Sequence, residues 1–167
     1  MSSKVYRTVI LNYSDSLFRF ALSILKEPEA AKDAVQECLI KIWKKRDKLD
    51  QIDNPQAWAF RVVKNHCLDV MRGSRHTEGL EHTYSLSDGQ TTDFDLLYQD
   101  QELWLEKVLE QLPEKQRQIF HLREVEEMSY QEIADVMEIT MSEVKVSLHR
   151  ARTSVRSSMK KVEAYGT

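Results

Sequence analysis

The 167-residue sequence predicts an all-α protein: two small helical domains joined by a flexible acidic linker, the C-terminal one containing a helix-turn-helix. Three observations carry that expectation. Apolar residues recur at steps of three and four along most of the chain, the period of a helix with one buried stripe. The chain holds only 4 Gly and 3 Pro, too few to break it into strands and turns. The periodicity lapses once, from Gly73 to about Asp100, where Gly, Ser, Thr and acidic residues take over. Residues 1–73 and 101–167 are therefore expected to be the domains, and 74–100 the linker.

The first helix is read from Tyr6, Val9, Ile10, Tyr13, Leu17, Phe20, Ala21 and Ile24, ending near Glu27. Pro28 suits the first turn of a second helix, because its fixed φ fits there and no amide is needed. Its stripe is Ala31, Ala34, Val35, Cys38, Leu39 and Ile42, with Asp33, Gln36, Glu37, Lys41 and Lys44 on the polar side. A charged turn from Lys45 to Asp53 leads to Asn54 and Pro55, an N-cap and first-turn pair. The third helix should run from there to about Arg72 and stop near Gly73. Trp58, Ala59, Val62, Val63, Cys67 and Val70 are its expected core face, leaving Arg61, Lys64, Asn65 and Arg72 more exposed. Trp43 and Trp58 are read as core anchors rather than stacking platforms.

Beyond the linker, Leu105, Val108, Leu109 and Leu112 resume the helical pattern, and Pro113 opens another helix containing Ile119, Phe120 and Leu122. Two capping boxes then follow in close succession. Ser129 with Glu132, and Thr140 with Glu143, have the spacing at which a hydroxyl and a carboxylate satisfy the orphan amides of a helix start. Two starts so close together imply a tight turn, hence a helix-turn-helix. Tyr130, Ile133, Ala134 and Met137 form the buried stripe of its first helix; Met141, Val144, Leu148, Ala151 and Val155 form that of its second. At about 100° per residue, Ser142, Val146, His149, Arg150 and Thr153 lie opposite, flanked by Lys145, Arg152 and Arg156. A major groove admits such a helix, and its cationic side chains can reach phosphates or guanine edges there.

Composition narrows the function classes. No apolar run approaches the ~20 residues that span a bilayer, and the start MSSKVYRTVI lacks an apolar signal core, so a cytoplasmic protein without membrane insertion is expected. Cys38 and Cys67 lack C-x-x-C spacing and read as reduced core thiols; no metal and no cofactor is expected. The net charge of −3 hides an uneven distribution. Residues 74–105 hold 1 basic and 7 acidic side chains, whereas residues 146–167 hold 5 basic and 1 acidic. Affinity for nucleic acid should thus be local and salt-sensitive, and a partner must supply the rest.

With both halves placed, the chain resembles the extracytoplasmic-function branch of the sigma-70 family of bacterial transcription initiation factors over nearly its whole length. DAVQECLIKIWKK, Asp33 to Lys45, is similar to the D-x-V-Q-E-x-F-x-x-x-W segment by which that family docks on core RNA polymerase. NPQAWAFRVVKNHCLDVMR, Asn54 to Arg72, is similar to its helix for the −10 promoter element. The stretch from Leu112 to Arg152 is similar to the domain that reads the −35 element.

The resemblance implies a promoter-specificity subunit with no catalytic residues. Core polymerase would be bound through Asp33, Gln36 and Glu37. The −10 DNA would meet Arg61, Lys64, Asn65 and Arg72, with a base pocket in the loop Asp47 to Pro55. The −35 DNA would meet Lys145, Val146, His149 and Arg150, beside which helix geometry alone places Ser142. It further implies an anti-sigma factor as partner, and a linker that crosses the polymerase cleft. Three positions depart from the family pattern: Glu138 replaces the usual turn glycine, Glu143 a common Thr, and Ser147 a frequent Arg. The residues alone leave a second reading open, a stand-alone helix-turn-helix regulator that binds DNA without polymerase. An enzyme is disfavoured, since neither His66 with Cys67 nor Asp33 with Glu37 comes with a third ligand or a glycine-rich loop.

Overall fold

A computed structural model describes residues 2–77 and 101–165. Apart from residues 74–77, the linker expected at 74–100 lies outside the described residues. The described residues form helices joined by short turns: α1 (Ser2–Leu25), α2 (Pro28–Lys44), a 3₁₀ turn (Arg46–Gln51), α3 (Pro55–Thr77), α4 (Gln101–Glu110), α5 (Glu114–Phe120) with a wide π turn (His121–Val125), α6 (Tyr130–Met137) and α7 (Met141–Tyr165).

In the N-terminal half α1 packs along α2 and α3 and closes over the 3₁₀ turn. Its Leu17, Phe20, Ala21 and Ile24 are fully buried against Ala31, Cys38 and Ile42 of α2 and Phe60, Val63 and Cys67 of α3. The rings of Phe20 and Phe60 lie 5.6 Å apart at the centre of this cluster. Burying side chains of this size is worth about 1.5–3 kcal/mol each, which sustains a three-helix unit. α1 ends at Lys26, whose left-handed backbone (φ 65) makes room for Pro28 to open α2.

In the C-terminal half α7 packs on α5 and α6, burying Val144, Leu148, Ala151 and Val155, while Val108 and Leu112 cover the far end. The apolar core does not stop at the boundary between halves. Ile119, Leu122, Met128, Ile133 and Val136 join the cluster of α1 and α3. α6 lies against α3, and α5 with its π turn against α1. The two helical domains are thus docked on each other.

Several expectations need correction. α3 does not stop near Gly73 but continues to Thr77, so residues 74–77 form its last turn instead of linker. The stretch after Lys45 is a 3₁₀ turn that buries Leu49, a core residue hidden in a charged run. Val70 and Met141, placed on core stripes, are substantially exposed. Trp43 is 40% exposed and no core anchor. It stands edge-on to Tyr6 and carries Arg46 4.1 Å over its ring.

Candidate nucleic-acid interface

The helix-turn-helix is built as its caps predict. Ser129 Oγ accepts from Glu132 N (3.1 Å) while Glu132 Oε1 accepts from Ser129 N (3.1 Å). Thr140 Oγ1 and Glu143 Oε2 make the same reciprocal pair at 3.1 and 3.2 Å. Between the two boxes Glu138 occupies the left-handed C-cap (φ 57, ψ 47), and the amides of Glu138 and Ile139 turn back to Ala134 O. A side chain other than Gly in this conformation costs on the order of 1 kcal/mol.

With α7 anchored by Val144 and Leu148, the side chains of Ser142, Lys145, Val146, His149 and Arg150 all stand exposed on the opposite face, as helix geometry requires. The expected flanking cation Arg152 is committed elsewhere. Its guanidinium bonds Glu124 of the π turn at 2.6 and 2.7 Å, and that hydrogen bond raises its pKa.

Asp33, Gln36 and Glu37 are exposed together on α2. Glu37 Oε2 meets His66 Nε2 of α3 at 3.1 Å, and His66 Nδ1 lies 3.1 Å from Lys41 Nζ, so the two expected surfaces adjoin through His66.

The α3 face is less uniform than expected. Asn65 and Arg72 are exposed, Arg72 pairing loosely with Asp69 at 3.6 Å; Arg61 is half-buried. Lys64, expected on the open side, is 5% exposed. Its Nζ lies 3.7 Å from Glu138 Oε2 on the docked helix-turn-helix. Burial pulls the Lys64 pKa down, and the Glu138 charge pushes back only in part.

At the start of α3, Asn54 Oδ1 accepts from Ala57 N (3.0 Å), the cap the sequence predicts, and Asn54 Nδ2 donates to Glu132 Oε2 at 3.3 Å. Beside it a shallow cavity of about 170 Å³ is walled by Ile52, Asp53, Asn54, Trp58 and Arg61, and by Asp135 of α6.

A further tie between the halves was not anticipated from the sequence. Glu126, after the π turn, has a side chain only 3% exposed, which accepts from Arg19 Nη2 of α1 (2.8 Å) and from His121 Nε2 (2.9 Å). Burial alone would raise its pKa, but the hydrogen bonds from His121 and Arg19 outweigh that and hold it below the ordinary 4.5. No signal in sequence spacing marks a pair 107 positions apart.

No helix among the described residues is long and apolar enough to cross a membrane, and no cluster among them could hold a metal ion. These features define an α-helical protein with a cationic recognition helix and a second polar helix face in a separate domain.

Comparison with known proteins gives that class a family. The model of Sigma-70 region 2 matches residues 9–77 and that of Sigma-70, region 4 matches residues 102–155. The chain is 25% identical over 169 residues to the RNA polymerase sigma-H factor of Pseudomonas aeruginosa, covering 93% of this chain and 86% of that one. With the ECF RNA polymerase sigma factor SigW of Bacillus subtilis it shares 23% over 159 residues, covering 89% and 85%. Its fold is similar to that of the sigma factor RpoE of Bartonella quintana, solved with the anti-sigma factor NepR: TM-score 0.72, 24% identity, 94% of this chain and 98% of the other. CnrH, solved with the cytosolic domain of CnrY, superposes with a TM-score of 0.67 at 19% identity, covering 95% and 90%.

The chain belongs to the sigma-70 family, in its extracytoplasmic-function branch. It is an RNA polymerase sigma factor, acting in promoter recognition and transcription initiation.

Proposed function

We propose a division of labour along the chain. Asp33, Gln36 and Glu37 on α2 dock core RNA polymerase. Arg61, Lys64, Asn65 and Arg72 on α3, with the cavity beside Asn54 and Trp58, take the −10 element and an unstacked base. Ser142, Lys145, Val146, His149 and Arg150 on α7 read the −35 element. The protein has no catalytic step of its own, works in the cytoplasm where the polymerase is, and is restrained by an anti-sigma factor, as the relative solved with NepR is bound by one.

The observation that carries this reading is the α7 surface: five exposed residues, two of them cationic, backed by the buried Val144 and Leu148 and fixed in orientation by two capping boxes. Arg and Lys so placed reach both phosphates and guanine edges, while Val146 offers an apolar contact for a thymine methyl group. Glu143 is turned back onto the Thr140 amide, which neutralises part of its charge against the helix start and makes room for DNA beside it.

The deciding experiment is gel filtration with core RNA polymerase, comparing the wild-type chain with a folded Asp33→Ala, Glu37→Ala variant. Co-elution of the wild type and its loss in the variant is the expected result. Salt-sensitive DNA binding by the protein alone, with no co-elution, would instead favour a stand-alone regulator.

A further inference from the structure

We infer that His66 of α3 is a positioning residue for polymerase docking: its ring holds the Glu37 carboxylate of α2 in place for the partner and keeps the Lys41 ammonium off it. This role rests on the docking face read above from Asp33, Gln36 and Glu37. The side chains meet at the seam of α2 and α3. His66 Nε2 lies 3.1 Å from Glu37 Oε2, and His66 Nδ1 lies 3.1 Å from Lys41 Nζ. An ammonium has only protons to give, so Nδ1 must accept, and the ring proton sits on Nε2, which donates to Glu37. The donors run one way, from Lys41 to His66 to Glu37.

The seam fixes the ring. Val63 and Cys67, on either side of His66 along α3, are fully buried, as is Cys38 beside Glu37. The His66 side chain is 12% exposed, whereas that of Glu37 is 64% exposed. A nearly buried donor on a packed helix thus grips one oxygen of a carboxylate that otherwise faces solvent. An acceptor oriented before the partner arrives does not lose its rotamer freedom at the moment of binding. A second effect follows from spacing. Glu37 and Lys41 stand at i and i+4 on α2, with the acid first, the order that favours a direct pair on a helix surface. Here the imidazole takes the ammonium instead. The two charges are bridged through the ring rather than joined, which leaves Glu37 Oε1 for a guanidinium or amide of the partner.

The test titrates core RNA polymerase against the full-length chain carrying fluorescein on its N-terminal amine, with anisotropy as the readout. His66→Phe keeps a packed ring but loses both hydrogen bonds. His66→Gln supplies an acceptor for Lys41 and a donor for Glu37 again. The expected result is a Kd raised about threefold by His66→Phe, the scale of an exposed charge contact, and returned close to wild type by His66→Gln. In a Glu37→Ala background, itself weaker than wild type, His66→Phe should add nothing. His66→Ala takes the place of the Phe variant if thermal melting shows that the latter does not fold. An unchanged Kd in folded His66→Phe, a loss that His66→Gln fails to recover, or an equal loss in the Glu37→Ala background would overturn the positioning role and leave the docking face standing. A Glu37→Ala chain that binds polymerase as wild type does would overturn the docking face, and the role of His66 with it.

Discussion

Replacing Glu126 by Gln should loosen the joint between the two halves, by an amount that can be worked from its contacts. The carboxylate is 3% exposed and accepts two hydrogen bonds, from His121 Nε2 at 2.9 Å and Arg19 Nη2 at 2.8 Å. A buried hydrogen bond to a charged group contributes about 1.5–3 kcal/mol, and the His121 bond falls in that class. Arg19 is 48% exposed, so water and salt discount its share to about 0.2–1 kcal/mol. The amide of Gln keeps one acceptor and sheds the cost of burying a charge, which offsets part of the loss. The net destabilisation is about 2 kcal/mol, equivalent to a fall of roughly 4–8 °C in Tm for a chain of this size.

Urea unfolding at pH 7 with an unchanged m value measures it. The pH dependence supplies the sign. Because the folded pKa of Glu126 is depressed, its contribution is complete above the unfolded value near 4.5 and is lost as pH falls through the folded value. Wild type and Glu126→Gln should therefore converge in stability below about pH 4.5. A difference under about 0.5 kcal/mol at pH 7, or one that persists undiminished in acid, would refute the reasoning.

Gly73→Ala should stabilise the chain by about 0.5–1 kcal/mol, because α3 runs through this position and an added Cβ meets nothing within 4 Å; destabilisation in a thermal melt would show a glycine cap instead. Cys38 and Cys67 are buried, and desolvation pushes their thiols up to about 11 and about 12, so both should resist a thiol reagent at pH 8 until urea unfolds the chain; immediate labelling of either would contradict their burial. Lys145→Ala with Arg150→Ala should abolish specific recognition of −35 duplex DNA and leave polymerase co-elution intact; loss of co-elution in the folded variant would refute the division of labour.

What the sequence disclosed was local, and the reason is physical. A cap is settled by residues three apart, so Ser129 with Glu132, Thr140 with Glu143, and Asn54 at the head of α3 are all legible in the sequence. The outward face of α7 followed from helical periodicity and one buried stripe. The end of α3 was not legible, because a glycine stops a helix only when it must turn left-handed, and nothing local requires that of Gly73. Leu49 carries no such signal, because one apolar residue in a charged run has no period. The burial of Lys64 carries none either, because periodicity places a residue on a face but cannot tell whether a second domain covers that face.

Glu132 shows how the two kinds of information meet in one side chain. Its Oε1 closes the capping box on Ser129 N, the role that the S-x-x-E spacing announces. Its Oε2 reaches 78 positions back along the chain to the side chain of Asn54, which is itself engaged in capping α3 through Ala57 N. The caps of a helix in each half are thus joined by one hydrogen bond, and each partner is held in place by a local contact before the long-range one forms. Such pre-orientation removes most of the side-chain entropy that a surface contact would otherwise lose on forming. It explains how a contact of modest individual strength can fix α6 against α3. It also explains why the docking could not be read from spacing: both residues already had a sufficient local reason to be what they are.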